Sequence, residues 1–318
     1  MSIRKIMITS AALLTLLLFY VFPSEREYKL DLTSKETVEY VNDQKNTHEV
    51  YLLDTNGLIG RTTVPVSSDQ SIERKTRELV EAMIIDGPRQ SKIPNGFKPF
   101  LPHNTKILGI NFEEGILKID FSKDLLDIKK EYEEKMVEAI TFSLTSMKDV
   151  KKVLIFVEGD LLKRLPKTNV KLPTSLDRTF GINKEYDIKV MKDINDVTVY
   201  YANKHNDDIY YVPVTKYFNG EEEKIQVIVD QLSAELIYEP NLMSYLNNKA
   251  KLLSSNIEDR KLILDFNEYI FNDAEKESIL EEVVYSIALS VKDNYDVDEV
   301  IFRVNDKEVA RQTLSELK

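Results

Sequence analysis

Ile116-Leu117-Lys118-Ile119-Asp120-Phe121 is the stretch that decides the fold, because it has a second copy, Lys261-Leu262-Ile263-Leu264-Asp265-Phe266. Each copy is rich in large apolar residues, which favours a strand, and each ends in an Asp-Phe pair. A charged, helix-compatible stretch follows each copy, and another apolar strand follows that stretch. A motif that recurs with its neighbours in the same order indicates a duplicated structural unit.

The first unit, residues 48–165, carries several signals for turns and helix ends. Asp54-Thr55-Asn56-Gly57 and Glu113-Glu114-Gly115 are turn signals between predicted strands. Ser71 is a candidate N-cap for a helix, and Asp86-Gly87-Pro88 is a strong signal for its end. Ser122 is a second candidate cap. The predicted elements, in chain order, are strands 49–53 and 58–66, a helix to about residue 85, strands 106–112 and 115–121, a helix over 131–144 and a strand over 150–157.

The second unit, residues 195–312, repeats these elements in the same order. Val212-Pro213-Val214 is matched with Val64-Pro65-Val66 of the first unit. Two departures weaken the turn predictions in the second unit. Ala234-Glu235-Leu236 replaces the helix stop, and Asn305-Asp306 replaces a turn that contains glycine. Residues 166–194 lie between the units, contain two prolines and one glycine, and have little periodicity, which indicates a linker.

The order of these motifs resembles the GerMN domain of the GerM family of sporulation and spore-germination proteins, first over residues 48–165 and then, in degenerate form, over 195–312. The resemblance implies an α+β fold with two tandem repeats of a small mixed-sheet, two-helix sandwich, similar in layout to ring-building domains. We expect the helices on one face of each sheet and open strand edges that accept a neighbour. The resemblance rests on these motifs: Val64-Pro65-Val66, Asp86-Gly87-Pro88, Leu101-Pro102 to Leu108, Asp120-Phe121, and Val153 to Gly159.

The N-terminus predicts export and a membrane anchor. Two basic residues precede an apolar run over residues 6–22, which is just long enough to span a bilayer. Basic residues before the run predict a cytoplasmic N-terminus and an extracytoplasmic remainder. The bulky residues before Pro23 make a poor cleavage site, so a single-pass anchor over residues 1–23 is favoured over a cleaved signal peptide. Residues 24–47 are polar and are predicted to be a spacer.

Composition excludes several classes of function. The chain has 318 residues, 42% hydrophobic and 31% charged, which is typical of about two globular domains. A formal net charge of −11 argues against nucleic acid as a partner, because phosphate binding needs a basic surface. The absence of cysteine excludes disulfides, a thiol nucleophile and a lipid attached to cysteine, which would mark a lipoprotein.

Few residues are candidates for chemistry. Asp120 and Asp265 recur at strand ends and suit either an acid or base role or, as the stronger interpretation, the capping of a turn. The chain has three histidines, His48, His103 and His205, and no two lie at metal-ligand spacing, so we predict surface or loop positions. No nucleophile elbow, zinc-protease motif or P-loop occurs. The sequence therefore predicts no catalytic residues, no metal site and no cofactor.

Two other patterns are open to a structural and a functional interpretation. The acidic runs Glu131, Glu133, Glu134 and Glu221-Glu222-Glu223 are predicted to be solvated helix faces rather than ligand sites. A tyrosine-rich region suits an interaction surface and strand packing equally well. Its members are Tyr200, Tyr201, Tyr210 and Tyr211.

The leading hypothesis is a non-enzymatic, membrane-anchored sporulation or germination protein. It would act as a scaffold or adaptor for protein partners at the envelope between forespore and mother cell, and it could form oligomers. The alternative is an exported module that binds or hydrolyses cell-wall glycan through an Asp carboxylate such as Asp120. A cleaved, lipoprotein-like extracellular sensor is a third possibility.

Overall fold

The computed structural model describes residues 46–67, 71–234, 241–273, 275 and 277–317. The anchor predicted over residues 1–23 and most of the spacer predicted over 24–47 lie outside the described residues. Within these described ranges, no helix has both the length and the apolar character needed to cross a membrane.

Fourteen strands and four α-helices make up the described chain, besides short 3-10 turns. The strands are β1 Thr47–Asp54, β2 Ile59–Pro65, β3 Phe97–Lys98, β4 Ile107–Glu113, β5 Ile116–Phe121, β6 Lys152–Val157, β7 Asp160–Leu161, β8 Glu185–Asp187, β9 Ile194–His205, β10 Asp208–Asn219, β11 Leu252–Glu258, β12 Lys261–Phe266, β13 Glu299–Val304 and β14 Lys307–Thr313. The helices are α1 Ile72–Met83, α2 Glu133–Leu144, α3 Lys224–Ser233 and α4 Glu281–Asn294.

The duplicated motif forms the same strand in two equivalent sheets. One sheet has the order β4-β5-β6-β7 and the other β11-β12-β13-β14. In both, the motif strand is antiparallel to the strand before it and parallel to the strand after the helix. Phe121 and Phe266 are fully buried. Phe121 lies between Ile107 and Val157, and Phe266 occupies the matching position between Leu252 and Val304. The prediction of a mixed α and β fold with tandem repeats is confirmed.

Two-residue turns with left-handed backbone close the hairpins of both sheets. Glu114 and Gly115 join β4 to β5 with φ angles of 49° and 81°, a geometry that matches the twist of the paired strands. Asn305 and Asp306, the departure that weakened the turn prediction, join β13 to β14 with φ angles of 52° and 61°. Asn and Asp tolerate this region better than other side chains do, so glycine is not needed there.

The helix boundaries follow their local signals with two differences. Ser71 caps α1 as predicted, and its side chain accepts a hydrogen bond from the N–H of Arg74. Ser122, also predicted as a cap, makes no capping bond, because its hydroxyl donates to Asp124 Oδ2 instead. The helix predicted from residue 131 begins at Glu133, since a 3-10 turn occupies residues 130–132.

The first hairpins of both repeats share a third sheet instead of joining the four-stranded sheet of their own repeat. Its order is β3-β1-β2-β10, with β9 on the other side of β10 and the short β8 parallel to the far end of β10. β2 of the first repeat pairs antiparallel with β10 of the second through Arg61 and Tyr211.

The described residues from 46 onward pack as one compact unit. The domain boundaries at 48–165 and 195–312 therefore stay sequence predictions.

The matching of Val212-Pro213-Val214 with Val64-Pro65-Val66 is wrong at the level of strand register. Pro65 lies opposite Thr47, near the end of its hairpin, whereas Pro213 lies opposite Tyr200 in the middle of the other. The physical reason is the length of the turn. The second hairpin turns in two residues and has 12-residue strands, whereas a longer loop follows Asp54 in the first.

The edges of the shared sheet along β1 and β9 are partly covered by helices and a loop. The N–H of Tyr51 in β1 donates to Ser143 of α2, and the N–H of Tyr200 in β9 donates to Ser290 of α4. Farther along β9, Thr198 exchanges bonds with the Asn294 side chain, and Ala202 pairs with Met243. Helix and loop cover of this kind protects a sheet edge from pairing with another chain.

Candidate functional site: the junction between the repeats

Two equivalent tyrosines meet where the repeats touch. Tyr51 of β1 and Tyr200 of β9 are each 1% exposed, and their hydroxyl oxygens lie 2.8 Å apart in a hydrogen bond. Each tyrosine also bonds through its backbone N–H to a serine on the helix of its own repeat. The duplicated unit thus supplies both halves of the junction from the same position in each copy.

The linker contributes a cation to this junction. Arg178 Nη1 donates to Asp293 Oδ1 at 2.5 Å and Oδ2 at 2.6 Å, and Arg178 Nη2 donates to the carbonyl of Phe142 at 3.1 Å. The Tyr200 hydroxyl donates to Asp293 Oδ2 at 2.7 Å. The guanidinium also stacks over the Phe142 ring, 4.7 Å from its centroid. The Arg178 cluster, defined as Tyr51, Arg178, Tyr200 and Asp293, therefore joins the first repeat, the linker and the second repeat.

Burial and charge set the protonation of the Arg178 cluster. Burial acts to lower the pKa of Arg178, but Asp293, Tyr51, Tyr200 and Glu49 together outweigh it and hold that pKa above its ordinary value. Burial raises the pKa of Tyr51 to about 12, so this phenol stays protonated at physiological pH. A charged pair and two neutral phenols in fixed geometry suit a structural lock, because every polar group has a partner.

A second group of charges crosses between the repeats. Glu49 of β1 binds Arg61 of β2 at 3.1 Å and also binds Lys292 of α4 in the other repeat. The Glu49 side chain is 13% exposed. Burial acts to raise the pKa of Glu49, but Arg61 and Lys292 outweigh it and lower that pKa to about 2. The ion group is therefore intact over the whole neutral and mildly acidic range.

The depressed pKa of Glu49 predicts a measurable dependence of stability on pH. A carboxyl whose pKa falls from 4.5 to about 2 on folding stabilises the fold above pH 4.5 and loses this contribution as the pH falls toward 2. Between pH 6 and pH 3 the loss from Glu49 alone is about 2 kcal/mol. We expect Glu49→Gln to be less stable at pH 6 and to show a pH slope that is smaller by that amount in urea unfolding.

Glu268→Gln is the matched control for the pH experiment, because Glu268 is exposed and forms no ion pair within the described residues. It should keep the stability and the pH slope of the parent chain. An unchanged slope in Glu49→Gln would contradict the role of the ion group.

The candidate carboxylates Asp120 and Asp265 are not part of the junction. Asp120 Oδ1 accepts a hydrogen bond from the N–H of Gly159 at 3.0 Å, which holds the turn between β6 and β7. The Asp265 side chain makes no hydrogen bond or ion pair within the described chain, although it lies beside Arg303 in the sheet. For Asp120 the geometry matches the structural interpretation, in which the carboxylate fixes a turn.

The histidines are spread over the molecule. His103 is exposed, as predicted, and His205 ends β9 with its ring against Gly96. The surface or loop position predicted for His48 is wrong, because His48 lies half-buried in β1, and its Nε2 is 3.1 Å from Ser146 Oγ. Burial lowers the pKa of His48. Within the described ranges, no group of three or more His, Asp or Glu residues is placed to hold a metal ion.

The prediction that both acidic runs are solvated is wrong for one residue. Glu133 is fully buried, and its carboxylate accepts hydrogen bonds from the N–H groups of Lys167 and Thr168 at 2.8 and 2.6 Å. It therefore anchors the start of the linker to α2. Glu131 is exposed, Glu134 is partly exposed beside Lys184, and the run Glu221-Glu222-Glu223 is exposed ahead of α3.

The tyrosine-rich region is internal packing. Tyr200 and Tyr201 are 1% exposed, and Tyr210 is 7% exposed, with its hydroxyl bonded to the buried carboxylate of Asp54 at 2.8 Å. Tyr211 stacks on Tyr285. Asp54 belongs to the first repeat and Tyr210 to the second, so the region forms an interface inside the chain.

The sequence did not point to Arg178 and Asp293, the ion pair at the centre of this site. Arg178 lies in a linker without periodicity, and Asp293 lies in a helix where the first repeat has Ser146, so neither recurs. The recurrence of Tyr51 at Tyr200 and of Ser143 at Ser290, each at the same place in its unit, was the signal available. The linker is itself part of the core, since Leu172, Leu176 and Ile182 are buried.

Fold and junction define a tandem-repeat protein whose two α and β units are joined into one body. The sequence model of the Germane family, described as "Sporulation and spore germination", matches residues 49–163 and 198–310. The chain belongs to this family.

Two comparisons agree with this membership. The chain is 32% identical over 264 residues to the spore germination protein GerM of Bacillus subtilis (strain 168), covering 81% of this chain and 71% of that protein. It is also similar to a solved structure of the tandem GerMN domains of the sporulation protein GerM from Bacillus subtilis. That similarity has a TM-score of 0.75 and 31% identity, and covers 82% of this chain and 91% of the other.

Proposed function

We propose that this GerM-like protein is a non-enzymatic scaffold or adaptor in the envelope of a sporulating cell. Residues 1–23 anchor it in the membrane with the N-terminus in the cytoplasm, and the two repeats lie outside the cytosol between forespore and mother cell. The repeats hold protein partners of an envelope complex in a fixed relative position. The acidic chain, with its net charge of −11, does not bind nucleic acid.

The observation that carries this proposal is the fusion of the repeats into one body. The shared sheet and the Arg178 cluster leave no flexible connection between the repeats within the described residues. A rigid body with two related sheets presents two surfaces at a fixed distance, which is the property that a scaffold needs and a hydrolase does not. GerM of Bacillus subtilis, the relative with the same layout, is a spore germination protein.

Deletion of the gene in its own host tests the proposal. We expect heat-resistant spore counts to fall in the deletion strain and to return with a copy of the parent gene. A copy carrying Asp120→Asn and Asp265→Asn should restore them as well, because the amide introduced at the first position keeps an oxygen that accepts the bond from Gly159. Normal spore counts after deletion would contradict the proposal. Failure of the doubly substituted copy, with normal folding by circular dichroism, would favour the glycan hydrolase.

A further inference from the structure

The two repeats differ at one pair of equivalent strands, β4 and β11. Each is the outer strand of its four-stranded sheet, and each carries a bulge at the same place, Leu108 in β4 and Leu253 in β11. In the first repeat, α1 packs against β4, and Ile110 and Phe112 are partly buried in the core. In the second repeat the matching residues are Ser255, which is exposed, and Ile257, which is 51% exposed.

The second repeat has a groove where the first has packed side chains. Two adjoining hollows of about 270 and 350 Å³ lie between the start of α3 and β11 and share Glu223, Ile225 and Ser255. We call them together the β11 groove. Leu253, which is 64% exposed, lines one hollow, and Ile257 lines the other. The β11 groove is therefore a depression with exposed apolar side chains and a polar, acidic rim, and it runs beside the outer edge of β11.

Beyond its bulge at Leu253, the edge of β11 has little protection against strand pairing. Exposed edges are normally guarded by Lys, by Pro, by a bulge or by a covering element. The outer strand at the opposite side of the same sheet, β14, carries Lys307 and Arg311, whereas β11 contains no basic residue and no proline. Within the described part of the chain, no strand pairs with the outer side of β11.

Charge at the rim of the groove selects the kind of partner. Glu222 and Glu223 line the groove, and the run that they belong to, Glu221-Glu222-Glu223, forms no ion pair among the described residues. A second copy of this chain, itself at net charge −11, would bring more negative charge to this rim and be repelled. The rim is complementary to an extended segment that carries Lys or Arg.

We propose that β11 and the β11 groove dock an extended segment of a partner protein. The segment adds to the sheet beside β11, as in β-strand addition, and its main chain pairs with the free edge. An apolar side chain packs against Leu253 and Ile257, which are exposed, and a Lys or Arg lies beside Glu222 and Glu223. This inference rests on the proposed scaffold function and names the site at which the scaffold holds a partner.

A synthetic peptide tests this docking site on the full-length chain in detergent. The probe is a fluorescein-labelled nine-residue peptide that alternates Val with Thr and has a Lys near each end, read by anisotropy. We expect Leu253→Lys to weaken binding at least about tenfold, because it replaces an apolar contact and adds a repelling charge. Leu108→Lys is the matched control, since Leu108 occupies the same bulge in the first repeat at 50% exposure; it should bind like the parent chain.

Two further experiments reverse the charge of the peptide and block its main-chain hydrogen bonds. A peptide with Glu in place of Lys should bind the parent chain poorly and should bind Glu222→Lys/Glu223→Lys better. A peptide methylated on alternate main-chain nitrogens should lose binding, because strand addition needs those N–H groups. Equal affinity of the Leu253→Lys and Leu108→Lys chains, or unaffected binding of the methylated peptide, would overturn the proposal.

Spore counts separate this inference from the function on which it rests. A strain with Leu253→Lys in the gene should sporulate poorly, and one with Leu108→Lys should sporulate normally. Normal counts for Leu253→Lys beside a defective deletion strain would overturn the docking site and leave the scaffold role standing. Normal counts in the deletion strain would overturn the scaffold role itself.

Discussion

Replacing Arg178 by Met is expected to lower the free energy of unfolding by about 3 kcal/mol. The substitution leaves the Asp293 carboxylate, with a side chain only 5% exposed, without its cation. Removing one partner of a buried ion pair costs about 3–5 kcal/mol. We expect the lower end of that range, because the Arg178 side chain is 20% exposed. Urea unfolding followed by circular dichroism measures the loss.

A double variant shows whether the loss comes from the uncompensated charge. Arg178→Met/Asp293→Asn leaves no unpaired ion, so it should be more stable than Arg178→Met alone, and the two substitutions should be strongly non-additive. Lys167→Met is not a suitable control, because Lys167 also bonds to the main chain. Arg77→Met serves better, since Arg77 lies on α1 and makes no ion pair in the described part of the chain. Additive losses for Arg178 and Asp293 would contradict the Arg178 cluster.

Phe121→Ala and Phe266→Ala are expected to destabilise the chain by similar amounts, about 3–5 kcal/mol each. Both rings are fully buried, and both lie between the same kinds of neighbours in equivalent sheets. Truncation to Ala therefore loses the same contacts and opens the same kind of cavity in each repeat. The midpoint of urea unfolding measures both losses on the same chain.

Phe121→Leu and Phe266→Leu are the matched controls, because Leu keeps an apolar side chain that fills most of the space. Each should cost clearly less than the corresponding Ala variant, on the order of 1 kcal/mol. A large loss at one phenylalanine with almost none at the other would show that the two positions are not equivalent and would contradict the duplication.

The duplicated four-stranded sheets could be predicted from the sequence because their signals are local. The Asp-Phe motif and the turn at Glu113-Glu114-Gly115 depend on residues that are close in the chain. Asn305 and Asp306 between β13 and β14 keep the left-handed turn that Glu158 and Gly159 form between β6 and β7, so the loss of glycine there did not remove the turn.

The shared sheet and the Arg178 cluster could not be predicted in this way. Pairing of β2 with β10 joins Arg61 to Tyr211, 150 positions apart, and no periodicity records such a contact. Because the two hairpin turns differ in length, Pro213 lies at a different strand register from Pro65, although each proline stands between two valines. Glu133 was predicted to be solvated, because a charged residue becomes buried only when a distant partner compensates it.

The groove beside β11 also depended on the structure. The exposure of Ser255 and Ile257 stands out only by comparison with Ile110 and Phe112, which are partly buried in the equivalent strand. Duplication supplies this comparison within one molecule. The difference in side-chain exposure between β4 and β11 indicates that these two equivalent strands have different roles.

Hydrogen exchange in increasing urea, read by mass spectrometry on the segments that contain β5 and β12, tests most directly whether the two repeats are one body. In the parent chain both segments are predicted to lose protection at the same urea concentration, since the shared sheet and the Arg178 cluster couple the repeats. In Arg178→Met the two transitions should move apart. Well-separated transitions in the parent chain would contradict the account.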